Sequence, residues 1–377
     1  MTKVLILTAA FGEGHNAAAR SLQAACRSEN IDADVVDLFS KAHRGSYEQS
    51  RKAYLRLVND APWIWGAFYH LLHHLPLEHW LPFHLAPLRD ALQSSLREFQ
   101  PTIVLSVYPL YAALFESLSL SHSAAVASKP HFFTVVTDSI TINAIWYRSG
   151  NDPLLLPNAD TERVLEKAGV PRSRLRVSGF PVCPRFADSI APRPDPADLP
   201  RPKVLIMVNG QPERALALFE HLQAQKRYHL TITVGHNETL RDKLLQSLDP
   251  SEPPPTILGW VDNVPLLLRS HHVLIGKAGG ATVQETLAAA TPMIMTQIFP
   301  GQEQGNAQLL IERDCGAFCP TAESVASTLD SWFRDNATRW RQLHQNALQL
   351  GRPQAAVETV RWILNQTSSR ALPVDPR

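Results

Sequence analysis

The chain alternates short, uninterrupted apolar runs with stretches whose apolar residues recur at helical spacing. Residues Lys3 to Ala9 form the first such run, as expected of a strand buried on both faces of a parallel sheet. Phe11-Gly12-Glu13-Gly14-His15 reads as a turn, and Asn16 is placed to cap a helix whose apolar positions Ala18, Leu22 and Ala25 follow it. Ala33 to Leu38, Thr102 to Val107 and His131 to Thr137 read as further strands separated by helices. The rhythm then restarts: residues 203–210 (KVLIMVNG) echo residues 3–10 (KVLILTAA). Strands follow near Leu230 to Val234, Thr256 to Leu258, Val273 to Ile275 and Met293 to Thr296. This alternation predicts an α/β protein of two Rossmann-like domains in tandem, with active loops at the carboxyl ends of the strands.

The boundaries follow from composition. Residues 1–187 form the expected N-terminal domain, and the proline-rich stretch 188–202 (DSIAPRPDPADLPRP) reads as a linker. Residues 203–352 form the second domain, and 353–377 a C-terminal helix and tail. The region from Ala322 to Leu364 is mostly helical in pattern, with Pro353 breaking or kinking it, and Gln366 to Arg377 reads as loose.

Residues 41–98 depart from the rhythm. They hold Trp63, Trp65, Phe68, Tyr69, Trp80 and Phe83, several histidines, and basic residues Lys41, Arg44, Arg51, Lys52 and Arg56 just before the aromatics. Aromatic bodies beside cations suit a membrane interface. A helical insertion packing its aromatics into the domain core accounts for them equally. The histidines lack the acidic or cysteine partners of a metal site.

Length and charge narrow the classes. At 377 residues the chain is comfortable for two domains, and a net charge of +1 gives no support for nucleic-acid binding. Cys26, Cys183, Cys315 and Cys319 are scattered, as expected of core packing in a reduced, cytoplasmic compartment. The first residues read as a strand rather than a signal peptide, and the longest strongly apolar stretch, Thr102 to Phe115, is too short to span a bilayer.

The chemistry concentrates between Gly276 and Gln308. There the run Val273 to Ile275 ends in GKAGG (276–280), and a helix-forming run, Ala281 to Ala290, follows. Strand, glycine turn and helix together aim backbone N–H groups and a helix dipole at an anion. A glycine turn needed only for tight strand–helix packing has the same pattern. Glu285 lies about one turn into that helix, and the polar cluster Pro300-Gly301-Gln302-Glu303 follows one strand later, suggesting a phosphate seat beside groups for sugar hydroxyls.

Taken together, GEGHNAAA (12–19), VVTDSITINAIWY (135–147), GFPV (179–182), the run from Gly259 to Ile294 and PGQEQGNAQLL (300–310) resemble the monogalactosyl- and glucosyl-diacylglycerol synthases. These are inverting transferases of glycosyltransferase family 28, relatives of the enzyme that adds N-acetylglucosamine to lipid-linked peptidoglycan precursors. The resemblance implies a GT-B fold, two Rossmann-like domains facing an interdomain cleft. It implies UDP-galactose or UDP-glucose as donor, diacylglycerol as acceptor, and no metal or other cofactor. It also implies peripheral attachment to the inner face of the cell membrane.

On that resemblance His15 is the general base, an imidazole whose ordinary pKa near ~6.5 suits proton abstraction. Asp138 orients or charge-stabilises the reacting group, or else caps a helix. The amides of Gly279, Gly280, Ala281 and Thr282, with Lys277, hold the diphosphate. Glu285 accepts from the ribose hydroxyls, Gln302 and Glu303 contact the hexose, and Asn306 caps or packs its helix. The backbone near Gly259, Trp260 and Val261 reads uracil. Gly12 and Gly14 border the acceptor, and Trp63, Trp65 and Phe68 meet the membrane. Three positions depart from the family pattern: Glu13 replaces a glycine, Asn143 a frequent histidine, and 208–213 (VNGQPE) a glycine-rich turn facing the donor phosphates. Two other readings share these residues: transfer to another lipid-linked acceptor, and a relative that binds lipid or nucleotide without transfer.

Overall fold

A computed structural model describes residues 2–43, 45, 49, 52, 56, 61–75, 85–120, 129–189, 191–208, 210–248 and 254–370. Elements in the first half are β1 (Lys3–Thr8), α1 (Glu13–Ser28), β2 (Asp32–Asp37), α2 (Leu38–Ala42), α3 (Pro62–His74), α4 (Ala86–Phe99), β3 (Ile103–Ser106) and α5 (Tyr111–Leu120). β4 (His131–Val135), β5 (Leu154–Leu156), α6 (Ala159–Lys167) and β6 (Leu175–Val177) follow. The second half holds β7 (Lys203–Met207), α7 (Pro212–Ala224), β8 (His229–Thr233), α8 (Glu238–Gln246), β9 (Thr256–Leu258), α9 (Val264–Ser270) and β10 (Val273–Lys277). It continues with α10 (Gly280–Ala288), β11 (Met293–Gln297), α11 (Gln302–Glu312), β12 (Gly316–Phe318), α12 (Ala322–Leu350) and α13 (Ala355–Arg370).

The chain divides into two units. The first comprises Met1–Pro184, Pro300–Gly305 and Gln354–Arg377; the second comprises Arg185–Phe299 and Asn306–Pro353. Each unit holds one parallel six-stranded sheet, ordered β2-β1-β3-β4-β5-β6 in the first and β12-β11-β10-β7-β8-β9 in the second. The unbroken apolar runs follow from burial on both faces: Val4, Leu5, Ile6 and Leu7 are all buried, as are Val273, Leu274 and Ile275. Helices pack over these strands; Leu92, Tyr111 and Phe115 join Leu5 and Leu7 in the first unit, and Phe219, Leu329 and Trp340 join Val204 and Ile275 in the second.

Several expectations needed correction. β5, β6 and β12 have three residues each, below the length at which an apolar run stands out as a strand, and they lie toward the sheet edges. α1 begins at Glu13 with Gly12 as its extended cap, so His15 lies in the first helical turn and not in a loop. Asn16 is therefore no cap; its Oδ1 accepts from the Thr8 hydroxyl at 3.0 Å.

The stretch 188–202, expected as a linker, belongs to the second unit. The Arg193 guanidinium donates to the carbonyls of Leu268, Arg269, Ala289 and Ala290 and to the Thr291 hydroxyl, clasping the ends of α9 and α10. α12 breaks from Arg334 to Ala337, where Asp335, Asn336 and Ala337 take positive φ, before the expected interruption near Pro353. α13 keeps helical order to Arg370, past Gln366, and its Trp362 packs edge-on against Phe133. The described part of 41–98 includes α3 and α4; Arg44, Arg51, Trp80 and Phe83 lie outside the described residues. Lys41 is tied down rather than offered to a surface, its Nζ lying 2.7 Å from Glu98. Among the described residues no helix is long and apolar enough to cross a membrane.

Candidate active site

Ligands of open α/β sheets sit beyond the carboxyl ends of the strands, where the strand order reverses. In the first unit that point lies between β1 and β3, and in the second between β7 and β10. His15, after β1, and the glycine turn 276–280, at the end of β10, fall at these points.

In the first unit, the turn after β1 ends in Gly12, and α1 carries Gly14 and His15 in its first turn. His15 Nδ1 lies 2.8 Å from the Val107 carbonyl, just past β3, and 2.9 Å from the Thr137 hydroxyl, just past β4. A carbonyl only accepts, so Nδ1 carries the proton and Nε2 keeps the lone pair. Tyr108 packs edge-on at 5.2 Å and Trp146 lies at 6.2 Å. Burial pushes the His15 pKa down to about 4, against a smaller upward pull from the Val107 carbonyl, so the ring is neutral at physiological pH. Asp138 follows Thr137 and accepts the Trp146 indole N–H at 2.8 Å. Burial raises its carboxyl to about 6, partly offset by that hydrogen bond. Asp138 is thus held by Trp146, while His15 is oriented by Val107. Glu13, the departure beside the acceptor motif, pairs with Arg20 at 3.3 Å. Asn143, the second departure, is buried and caps the 3-10 turn Ala144–Trp146.

In the second unit, β10 runs through Gly276 and Lys277, and α10 starts at Gly280, one residue before the expected start. Gly279 takes the cap position, and its own N–H donates to the Lys277 carbonyl at 2.8 Å. Of the four amides assigned to the anion, those of Gly280, Ala281 and Thr282 occupy the first turn, where no carbonyl of the helix can reach them. Asn306 donates to the Ala278 carbonyl at 3.1 Å and pins the turn from α11. Lys277 is half-buried with Nζ 4.8 Å from the centre of the Phe299 ring, and Glu285 is half-buried in the second turn of α10.

A cavity of about 280 Å³ opens at this switch point, lined by Met207, Gly210, Gln211, Arg214, Lys277 and Gln297 among others. Nearby in sequence, Gly259 and Val261 are half-buried in the loop after β9; Trp260 between them stacks on His236 at 4.7 Å. Gln302 and Glu303 open α11, with Glu303 buried.

α3 presents a separate feature. Ile64, Phe68, Leu71 and Leu75 recur at steps of four, three and four, and all are exposed, with Trp63 beside them 73% exposed. Trp65 is turned inward, half-buried with its ring 6.3 Å from that of Tyr69.

Residues 15–182 match the monogalactosyldiacylglycerol (MGDG) synthase domain, and residues 212–354 match the glycosyltransferase family 28 C-terminal domain. The chain carries an MGDG synthase domain followed by a glycosyltransferase family 28 C-terminal domain. Across 380 aligned residues it is 28% identical to the chloroplastic MGDG synthase of Spinacia oleracea, spanning 95% of this chain and 71% of that one. MGDG synthase 1 of Arabidopsis thaliana is 27% identical, over 95% and 70%. Among solved structures, the MnaA–UDP co-structure from S. aureus superposes with a TM-score of 0.63 at 12% identity over 100% of both chains. MurG of Acinetobacter baumannii gives 0.62 at 13% over 97% and 100%. Such distant likenesses show the fold alone, the GT-B pairing of two Rossmann-like domains.

His15 is the first residue of the matched synthase domain. Sequence reasoning missed the partners that give His15 its tautomer, the Val107 carbonyl and Thr137, and the Arg214 side chain at the second switch point. Backbone carbonyls carry no sequence signal. Thr137 and Trp146 do stand in the 135–147 motif, but only the fold says which residue each one holds.

Proposed function

We propose that the chain transfers a hexose, with inversion, from UDP-galactose or UDP-glucose to the free hydroxyl of diacylglycerol. His15 Nε2 takes the acceptor proton as the oxygen attacks the anomeric carbon opposite the departing UDP. The first-turn amides of α10, with Lys277, stabilise the diphosphate as it leaves. The carboxylate of Glu285 suits the paired ribose hydroxyls, and Gln302 and Glu303 suit those of the hexose. Protein groups alone carry these roles; no step calls on a metal or other cofactor. The exposed stripe of α3 rests on the membrane surface that holds the acceptor, with Trp63 and Phe68 at the lipid interface and Trp65 bracing the helix from behind. With a cytoplasmic donor, that surface is the inner face of the cell membrane.

The observation that carries this reading is the His15 geometry: a neutral imidazole whose Nδ1–H is spent on the Val107 carbonyl, leaving Nε2 as a base. UDP release from each UDP-sugar, with and without diacylglycerol vesicles, tests it. Wild type should release UDP only when the lipid is present, and His15→Ala should lose about 10²–10⁴ in kcat while still binding UDP. Unchanged turnover in that variant removes His15 as the base.

One observation favours a second reading, a nucleotide- or lipid-binding relative without transfer. At the turn that departs from the family pattern, Pro212 occupies the first helical position of α7 and brings no N–H to an anion. UDP binding without lipid-dependent UDP release identifies that case.

A further inference from the structure

α3 carries its apolar stripe outward and a set of polar contacts inward, and within the first unit those contacts converge on the segment that follows Asp138. Asn143 Nδ2 donates to the Tyr69 carbonyl at 2.9 Å, while its Oδ1 accepts from the Ile145 N–H at 3.2 Å. The Ala144 N–H donates to His73 Nδ1 at 3.2 Å, which fixes that nitrogen as an acceptor. The Tyr69 hydroxyl donates to the Thr141 carbonyl at 3.2 Å. The turn these bonds hold, Ala144–Trp146, ends in the indole that grips Asp138 and lies beside His15.

The segment needs holding. Ile140 takes φ 58°, a left-handed conformation that a β-branched side chain resists and that lasts only where surrounding contacts enforce it. Asn143, Ala144 and Trp146 are all buried, so a shift in one is passed to the next.

We infer that His73 and Asn143 are positioning residues for the transfer. Through the Ala144–Trp146 turn they set the Trp146–Asp138 pair beside His15, and His73 does so from the helix that bears the exposed stripe. The inference rests on the proposed function, because it takes His15 and Asp138 as the reacting groups. It adds that α3 is part of the catalytic framework as well as a surface element. A lipid that seats α3 thereby also steadies the carboxylate.

The test uses the full chain with His73→Leu, His73→Asn and Asn143→Ala. An Asn side chain places Oδ1 near the position of the imidazole Nδ1 and keeps the acceptor. His73→Leu and Asn143→Ala should lower kcat on the order of ten- to hundredfold, the scale of a small misplacement of reacting groups, with KM for the UDP-sugar and vesicle retention unchanged. Both should speed amide hydrogen exchange across residues 139–147, a readout that needs no turnover. His73→Asn should restore most of kcat and protection.

Unchanged kcat, unchanged exchange, or equal losses in His73→Leu and His73→Asn would overturn the inference. His15→Ala run alongside separates the two readings. If it is inactive while Asn143→Ala is normal, only the positioning role fails. If it turns over like wild type, the proposed function fails and takes this inference with it.

Discussion

Asp138→Asn should make the protein more stable at neutral pH while removing most turnover. Burial raises the Asp138 carboxyl from an ordinary 3.8 to about 6. A raised carboxyl pKa means that the folded protein holds the proton more tightly than the unfolded chain does. That contribution to stability is fully present below pH 3.8 and is lost as pH rises through about 6. At about 1.4 kcal/mol per pH unit, the ionised carboxylate costs the native state up to about 3 kcal/mol at neutral pH. An amide carries no such cost. The Trp146 hydrogen bond to the charged acceptor already lowers the carboxyl within that net shift, so nothing further is subtracted for it. The net gain is up to about 3 kcal/mol near pH 7, and most of it should be gone by about pH 4, where the folded wild-type carboxyl is largely protonated. The same shift that depresses His15 is present in both proteins and cancels in the difference. Urea unfolding of the two proteins at both pH values measures it, followed by UDP release at the higher one. A variant less stable than wild type at neutral pH, or a stability difference that does not change with pH, would falsify the reasoning.

Three further outcomes are expected. Glu285→Ala should weaken UDP binding by about 1.5–3 kcal/mol in calorimetry, the worth of hydrogen bonds to a charged group, and unaltered affinity removes the ribose assignment. Changing Trp63, Phe68 and Leu71 together to Ser should release the protein from diacylglycerol vesicles in a sedimentation assay, since each apolar side chain is worth about 1.5–3 kcal/mol on burial; full retention counts against α3 as the docking element. Gly351→Ala should cost about 1–3 kcal/mol in urea unfolding, because relief requires backbone movement. The added Cβ would meet the Leu287 carbonyl oxygen at 2.1 Å near the end of α10, so a stable variant contradicts that close approach.

What the chain disclosed in advance follows from the range of the forces involved. β1, β7 and β10 were legible because strands buried on both faces write unbroken apolar runs into the sequence. β5, β6 and β12 were not: with three residues each they give no period, although β9, equally short, was read. The glycine turn and the helix after it were legible as a strand–turn–helix unit, yet the Gly279 N–H turned back on Lys277, a detail of backbone geometry with no side chain to mark it. His15 stood out in its motif, but its tautomer comes from Val107 and Thr137, 92 and 122 residues away. Residues 41–98 showed their aromatics plainly. Which of them face out depended on how α3 packs: Tyr69 is drawn in by its bond to Thr141, and Trp63 is left on the surface. The prolines marked 188–202 as a linker, and Arg193 alone would not have revealed that it clasps two helix ends.

The turn after β7 raises the question of how the donor phosphates are held without the glycines of the family pattern. Gln211 there takes a left-handed φ of 45°, Pro212 removes one first-turn donor from α7, and Glu213 adds a negative charge in that same turn. Each of these makes the start of α7 a poorer seat for an anion. The cavity at this point is nonetheless lined by Arg214 on α7 and Lys277 on β10. A helix end offers about half an elementary charge, and a guanidinium or ammonium offers a whole one. On the proposed function, the neutralising charge on this side of the cavity comes from side chains rather than backbone, while the amides at the start of α10 keep their backbone role. Loss of glycine at this turn is thus a change in how charge is supplied. It predicts donor binding more sensitive to salt than a seat built of amides alone, because the full charge of the exposed Arg214 is screened by added ions.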